Sequence, residues 1–253
     1  MRREYPSCAS IARKLALQHK IEISHMTIRR DLWRLGAKAY RRPKSARLRV
    51  GDQKQRVSFC KNAKKSAVAE LLFTDEKYFD CNDHGCPWQW VMKDEAVEPL
   101  GRDKWAPKVA VWGLIGLGVK RLVILPRRTM TAQVYRDQCL KIHLGLLKTK
   151  VLMHDGARPH VSKLIGFYLK NHGIQVLAGW PPRSPDLNPM ENLWAIIARK
   201  VSDCGPTDEK ELEVFIKKVW NAYPQKEVDK LVLSFPRRMD MCVRNKGGRV
   251  RLP

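Results

Sequence analysis

Long apolar runs are missing from this chain. No hydrophobic stretch approaches the roughly 20 residues that a membrane-spanning helix requires, so no membrane association is expected. The opening stretch "MRREYPSCASIARKLALQ" also lacks the uninterrupted apolar core of a secretory signal, and none is expected. Acidic residues are scarce: 25 Asp and Glu stand against 49 Lys and Arg, for a formal charge of +24. Self-repulsion on that scale opposes compaction unless a polyanion shares the load, which points to nucleic acid as the partner. Cysteine is too sparse and scattered for a disulfide framework. The seven thiols, at 8, 60, 81, 86, 139, 204 and 242, are odd in number and suit a reducing compartment. Only "CNDHGC" at 81–86 clusters two of them with His84; a zinc site would need a second pair, and none is spaced for it.

What is present is unevenly distributed. At 253 residues the chain has room for one good core, or for a core with a small accessory domain. Residues 1–66 hold 19 Lys and Arg against 4 Asp and Glu, and this contrast suggests a boundary near residue 67. Within that basic quarter, Ile11 and Leu15 lie four apart, and Ile28, Leu32 and Leu35 share one helical face. Ser24 is placed to cap the second of these helices and Gly36 to end it. Two short helices around a tight turn fit a helix-turn-helix, with His25, Thr27, Arg29 and Arg30 facing the DNA groove; a helical hairpin with a solvated basic face is the alternative. The stretch 40–65, "YRRPKSARLRVGDQKQRVSFCKNAKK", reads as a basic linker leading into a helix. Its Arg41, Arg42 and Lys44 would follow a phosphate backbone, or serve a solvated tether.

Beyond residue 67 the texture changes. "AELLFTDEKYFD", "WQWVMK", "KVAVWGLIGLG" and "RLVILP" are strand-like. A helical pattern over 131–148 follows, then the short strand "KVLMHD", a helix over 160–172, and the strand "IQVLAG". This succession indicates a mixed α/β sheet. From 208 to about 244 the pattern is helical, with Leu212, Phe215, Ile216, Val219 and Trp220 as a core-facing stripe.

Three carboxylates stand at the ends of such elements. Asp75 closes "LLFTD" and Asp155 closes "VLMHD", positions at the rim of a sheet where sites form. Glu191 lies within the stretch "WPPRSPDLNPMENLW" at 180–194, where Pro181, Pro182 and Pro185 stiffen the chain before Asn188 and a fourth proline, Pro189, open an amphipathic helix. Three hard oxygen donors suit one or two magnesium ions, and in a basic protein the matching substrate is a phosphodiester.

The motifs "LLFTDEKYF", "VLMHDGARPH" and "WPPRSPDLNPMENLW" resemble, in order, the three catalytic motifs of the Tc/mariner superfamily of DDE transposases. "TIRRDLWRLGAKAYRRPK" is similar to part of that family's paired-type DNA-binding region, and the resemblance spans about residues 8–205. It implies an RNase H-like catalytic domain, cut-and-paste transposition and integration of double-stranded DNA, and a Mg2+ cofactor for which Mn2+ substitutes, with two ions. It also implies a homodimer and, in a eukaryotic host, a nuclear location. Asp75, Asp155 and Glu191 match the catalytic metal-binding triad. Asp186 is the rival third acid, with a structural role in the loop as its alternative; His160 matches a family histidine that orients the second motif or approaches DNA, with a satisfied structural histidine as the alternative. The implied organisation is a partial helix-turn-helix segment over 1–40, a basic linker over 41–66, the catalytic domain over 67–205 and a helical, basic tail over 206–253. Trp180 and Trp194 are expected to pack rather than stack on bases.

There are departures. Gly156 stands where the family usually has asparagine, and the 79 residues between Asp75 and Asp155 are fewer than usual, which implies a reduced dimer-contact region. The first helix-turn-helix unit of the family is expected to be missing and the second to lack its opening helix. A truncated or domesticated copy that binds DNA without mobilising it is the competing expectation, and a metal nuclease or integrase of another branch the third.

Overall fold

The structure, a computed structural model, describes residues 8–35, 48–63, 67–81, 106–126 and 129–250. It divides into two compact units, Met1–Ala46 and Arg47–Pro253. The first holds helices α1 (Cys8–His19) and α2 (His25–Arg34). Ser24 caps α2 as its sequence position suggests, its Oγ accepting the Thr27 N–H at 3.1 Å, and Ile28 is the buried residue of that helix.

The second unit opens with α3 (Val50–Ala63). Strand β1 (Leu71–Asp80) pairs antiparallel with β2 (Lys108–Gly116), which turns through Gly118 into antiparallel β3 (Val119–Ile124). The turn needs φ = +69° at residue 118, a conformation that glycine adopts without cost. On its other side β1 pairs parallel with β4 (Val151–Met153), and β4 with β5 (Gln175–Val176), giving the order β3-β2-β1-β4-β5. The remaining helices are α4 (Ala132–Val134), α5 (Leu144–Leu147), α6 (Lys163–Asn171), α7 (Pro189–Ser202), α8 (Glu209–Ala222), α9 (Gln225–Leu233) and α10 (Phe235–Arg244).

Strand alternation divides the interior in two. Leu71, Phe73, Val109, Val111 and Ile115 pack with α3 and α7 to α10, around Leu193, Trp194, Ile216, Trp220 and Met239. Leu72, Ala110, Trp112 and Leu114 face Tyr135, Cys139, Leu140, Ile165 and Leu169 on the opposite side. The sheet is therefore clothed by helices on both faces, as a parallel-centred sheet must be to bury its strands.

Several expectations change. The uniform helix expected over 131–148 is broken: α4 passes into a π-helical turn at Tyr135–Leu140 and a 3-10 turn at Lys141–His143 before α5. The wider turn places Tyr135, Cys139 and Leu140 together in the interior. The charge contrast also put the division too late. α3 buries Arg56, Phe59, Cys60 and Ala63 in the core of the second unit, so 48–63 is neither a tether nor a linker, and the compact division lies at 46/47. Likewise α8 to α10 share that core rather than forming a separate tail. The strand expected at "WQWVMK", Gly36, and the Cys86 and His84 of the 81–86 cluster lie outside the described residues, and Cys81 begins the turn that follows β1.

Candidate functional site

Asp75 does not close its strand, as its sequence position suggests, but lies midway along it. It is nonetheless at a rim. The parallel ladder with β4 ends at the pair Phe73–Met153, while β1 and β2 continue together to Asp80. Asp155 stands two residues beyond Met153 just as Asp75 stands two beyond Phe73, so one register brings both acids to the same edge. By alternation Asp75 shares the face of Leu71 and Phe73, towards α7, and Glu76 the opposite face.

Glu191 arrives from that α7 side. Ser184 is buried, the turn Pro185–Leu187 follows it, and Asn188 caps α7 by accepting the Met190 N–H at 3.0 Å, with Pro189 in the first helical turn. This puts Glu191 in the first turn, where helix polarity favours a negative charge. The close approach of α7 depends on Gly113, the partner of Asp75 on β2. A Cβ there would overlap Met190 Cε and come within 2.7 Å of Trp194 Cζ2.

The electrostatics record the convergence. Burial pushes the Asp75 carboxyl up to about 8, and the nearby charges of Glu191, Glu76 and Asp155 push it the same way. Burial also raises Glu191, against the opposing influence of Lys77. Asp155 goes the other way: hydrogen bonds from His160 and from the Ala157 N–H hold it below the usual carboxylate range despite burial. Its Oδ1 accepts the Ala157 N–H at 2.9 Å and His160 Nδ1 at 2.8 Å. His160 Nε2 faces Glu76 Oε1 at 3.2 Å. Burial disfavours a charged ring, but the two carboxylates outweigh it and raise His160 to about 9. Its neighbour His154 is depressed to about 4 by burial and by the charge on His160, and its Nδ1 shares a hydrogen bond with the Tyr135 hydroxyl at 3.1 Å.

Asp186 is occupied elsewhere. It accepts from Arg56 at 2.9 and 2.6 Å, from Arg249 Nη1 at 2.8 Å and from the Val250 N–H at 2.7 Å, which fastens the proline-rich loop to α3 and to the segment after α10. Trp180 packs edge-on against Phe59 and Trp194 against Phe79, both as packing residues. In the first unit His25, Arg29 and Arg30 are exposed on α2, and Thr27 is half-buried with its hydroxyl 3.0 Å from Ser24 Oγ; Arg41, Arg42 and Lys44 lie outside the described residues. Glu76, His154 and Tyr135 also line this region and carry no strong mark in the sequence. Glu76 was signalled only by adjacency to Asp75, and the other two by nothing periodic.

Among the described residues no three His, Cys, Asp or Glu side chains stand close enough to enclose a metal ion. The three carboxylates converge on one region without closing a coordination sphere. Their chemistry fits a hard divalent cation: the donors are all oxygens, and the like-charge pressure on Asp75 is of the kind a cation relieves.

A five-stranded mixed sheet in the order β3-β2-β1-β4-β5, with acids gathered at one rim, is an RNase H-like arrangement, and the model of the DDE superfamily endonucleases matches residues 70–233. That match reaches into α9, in keeping with a core that includes α8 and α9. The chain is 30% identical over 258 residues to the Tc3 transposase of Caenorhabditis elegans, covering 95% of this chain and 76% of that protein. It is 26% identical to the Tcb1 transposase of Caenorhabditis briggsae, over 88% of this chain and 86% of that one. The fold is also that of a Mos1 mariner paired-end complex with Mn, at a TM-score of 0.81 and 17% identity, covering 98% of this chain and 76% of that one. The isolated Mos1 catalytic domain matches at a TM-score of 0.66 and 17% identity, covering 83% of this chain and all of that domain. The chain belongs to the Tc1/mariner family of DDE transposases, enzymes of DNA transposition.

Proposed function

We propose that Asp75, Asp155 and Glu191 hold a pair of magnesium ions, replaceable by manganese, with which this chain cuts double-stranded DNA at transposon ends and joins the freed ends to target DNA. The convergence of three carboxylates from β1, the end of β4 and the start of α7 carries this reading. Bound divalent ions supply Lewis acidity, lowering the pKa of the attacking hydroxyl and offsetting charge on the leaving oxygen. The chain's own residues bind and orient. Asp155 commits Oδ1 to Ala157 and His160 and leaves Oδ2 for ligation. His160, bridged to Glu76, fixes that carboxylate and places positive charge beside the site. Water and then a DNA hydroxyl serve as nucleophiles, so the carboxylates act as ligands rather than as general acid and base.

The high positive charge and the exposed Arg29 and Arg30 of α2 support DNA as the partner, with α2 entering a groove. A homodimer is part of the proposal, supported by the likeness to Mos1, one of whose structures is described as a paired-end complex with the left transposon end. The test is cleavage of supercoiled plasmid with Mg2+ or Mn2+, beside Asp155→Asn. Metal-dependent nicking lost in the variant supports the proposal. Salt-sensitive DNA binding without cleavage of plasmid or of the element's own ends would instead mark a DNA-binding protein that no longer cuts.

A further inference from the structure

Two uncharged polar side chains, Thr74 and Asn188, are buried within three residues of Asp75 and Glu191 in the sequence and ligate nothing in the proposed mechanism. We propose that Asn188 is a positioning residue: through Thr74 it sets the spacing of the Asp75, Asp155 and Glu191 carboxylates for a divalent cation. The inference rests on the reading of those acids as ligands.

The geometry is a series of three hydrogen bonds. Thr74 Oγ1 donates to the Met153 carbonyl at 2.9 Å, Asn188 Nδ2 donates to the Thr74 carbonyl at 3.2 Å, and Asn188 Oδ1 accepts the Met190 N–H at 3.0 Å. Each link is close in sequence to an acid. Met153 is two residues before Asp155, Thr74 is one before Asp75, and Asn188 is three before Glu191. Pairing of β1 with β4 ends at Phe73–Met153; the next carbonyl along β1, that of Thr74, is met by the Asn188 amide. The sheet edge is thus continued by a side chain from the loop that carries the third acid.

Helix capping does not account for this. A cap needs only an acceptor, which serine or aspartate supplies as well as asparagine. The amide donor is additional, and it reaches a residue 114 positions away in sequence, on a different element. Groups that orient ligands from behind in this way typically change metal affinity by about 10–100-fold when removed.

The two halves of Asn188 can be separated experimentally. Asn188→Ser keeps an acceptor for the cap but loses the donor to Thr74; Asn188→Ala loses both. Thr74→Val cuts the other link with a side chain suited to a strand, and keeps the experiment decisive should Asn188→Ser fold poorly. Free Mn2+ would be counted by electron paramagnetic resonance during titration of the full chain, with thermal melting alongside and Asp155→Asn as the control. The expected result is that Asn188→Ser and Thr74→Val melt near the wild type yet bind Mn2+ about tenfold or more weakly. Wild-type affinity in both variants, with Asp155→Asn impaired, overturns the positioning role alone. An Asp155→Asn chain that binds Mn2+ as well as wild type overturns the ligand reading, and the inference with it.

Discussion

Arg56 offers the sharpest test of how the loop before Glu191 is held. Its side chain is completely buried, and its five N–H groups meet five acceptors. Nε donates to Gly247 O at 2.9 Å, Nη1 to Ser184 Oγ at 2.7 Å and Asp186 Oδ1 at 2.9 Å, and Nη2 to Asp186 Oδ2 at 2.6 Å and Gly248 O at 3.1 Å. Arg56→Met fills similar volume but leaves Ser184 and two carbonyls without these donors, and a carboxylate short of its main cation. Breaking one side of a buried ion pair costs about 3–5 kcal/mol. Asp186 keeps Arg249 and the Val250 N–H, which favours the lower end of that range. For a unit of this size about 2–4 °C accompanies each kcal/mol, so a melting shift of roughly 6–20 °C is expected. Arg56→Lys should not restore it, because an ammonium cannot supply the planar fork. Urea and thermal unfolding of the three proteins measure this. A loss under about 1 kcal/mol for Arg56→Met would refute the reasoning.

Three further outcomes follow from the same geometry. Gly113→Ala should push α7 off β2 and cost about 1–3 kcal/mol of overpacking, seen by denaturation together with lost cleavage; an unperturbed, active variant would contradict the close approach described. Burial alone would raise the Asp186 carboxyl, but hydrogen bonds from Arg56, Val250 and Arg249 hold it low. Its stabilising contribution is therefore present above about pH 4 and lost as pH falls through the depressed folded value, so wild type should lose stability more steeply than Asp186→Asn below pH 4; parallel curves would count against the network. Burial and the surrounding carboxylates disfavour a charged Asp75, so in chelator at pH 7 Asp75→Asn should raise stability by about 1 kcal/mol or more; a destabilised variant would show that the acids do not crowd one another.

Much of this site was legible from local pattern. Asp75 and Asp155 stand out because each follows an apolar run, and Glu191 because proline and asparagine mark a helix start before it. The cap at Ser24 and that at Asn188 were equally readable, since capping is a matter of adjacent residues. What escaped was long-range. Arg56 and Asp186 lie 130 positions apart, and nothing in the periodicity around Arg56 separates a buried anchor from one more cation in a basic stretch. The same blindness read 40–65 as a basic linker leading into a helix: charge density suggested DNA contact, while Phe59 and Cys60 face a core assembled from β1, β2 and α7 to α10. Asp75 was expected at a strand end because the apolar run stops there, yet β1 continues as the partner of β2, whose side chains are not visible from the β1 sequence.

The central claim is that Glu191, with Asp75 and Asp155, completes the metal-binding set while Asp186 serves the loop. Single-turnover DNA cleavage in Mn2+, measured for Glu191→Gln and Asp186→Asn at a temperature where both are folded, tests it most directly. The account predicts a fall of at least about a hundredfold for Glu191→Gln, with Asp186→Asn remaining within about tenfold of wild type. Near-normal cleavage by Glu191→Gln, with Asp186→Asn inactive though folded, would contradict it.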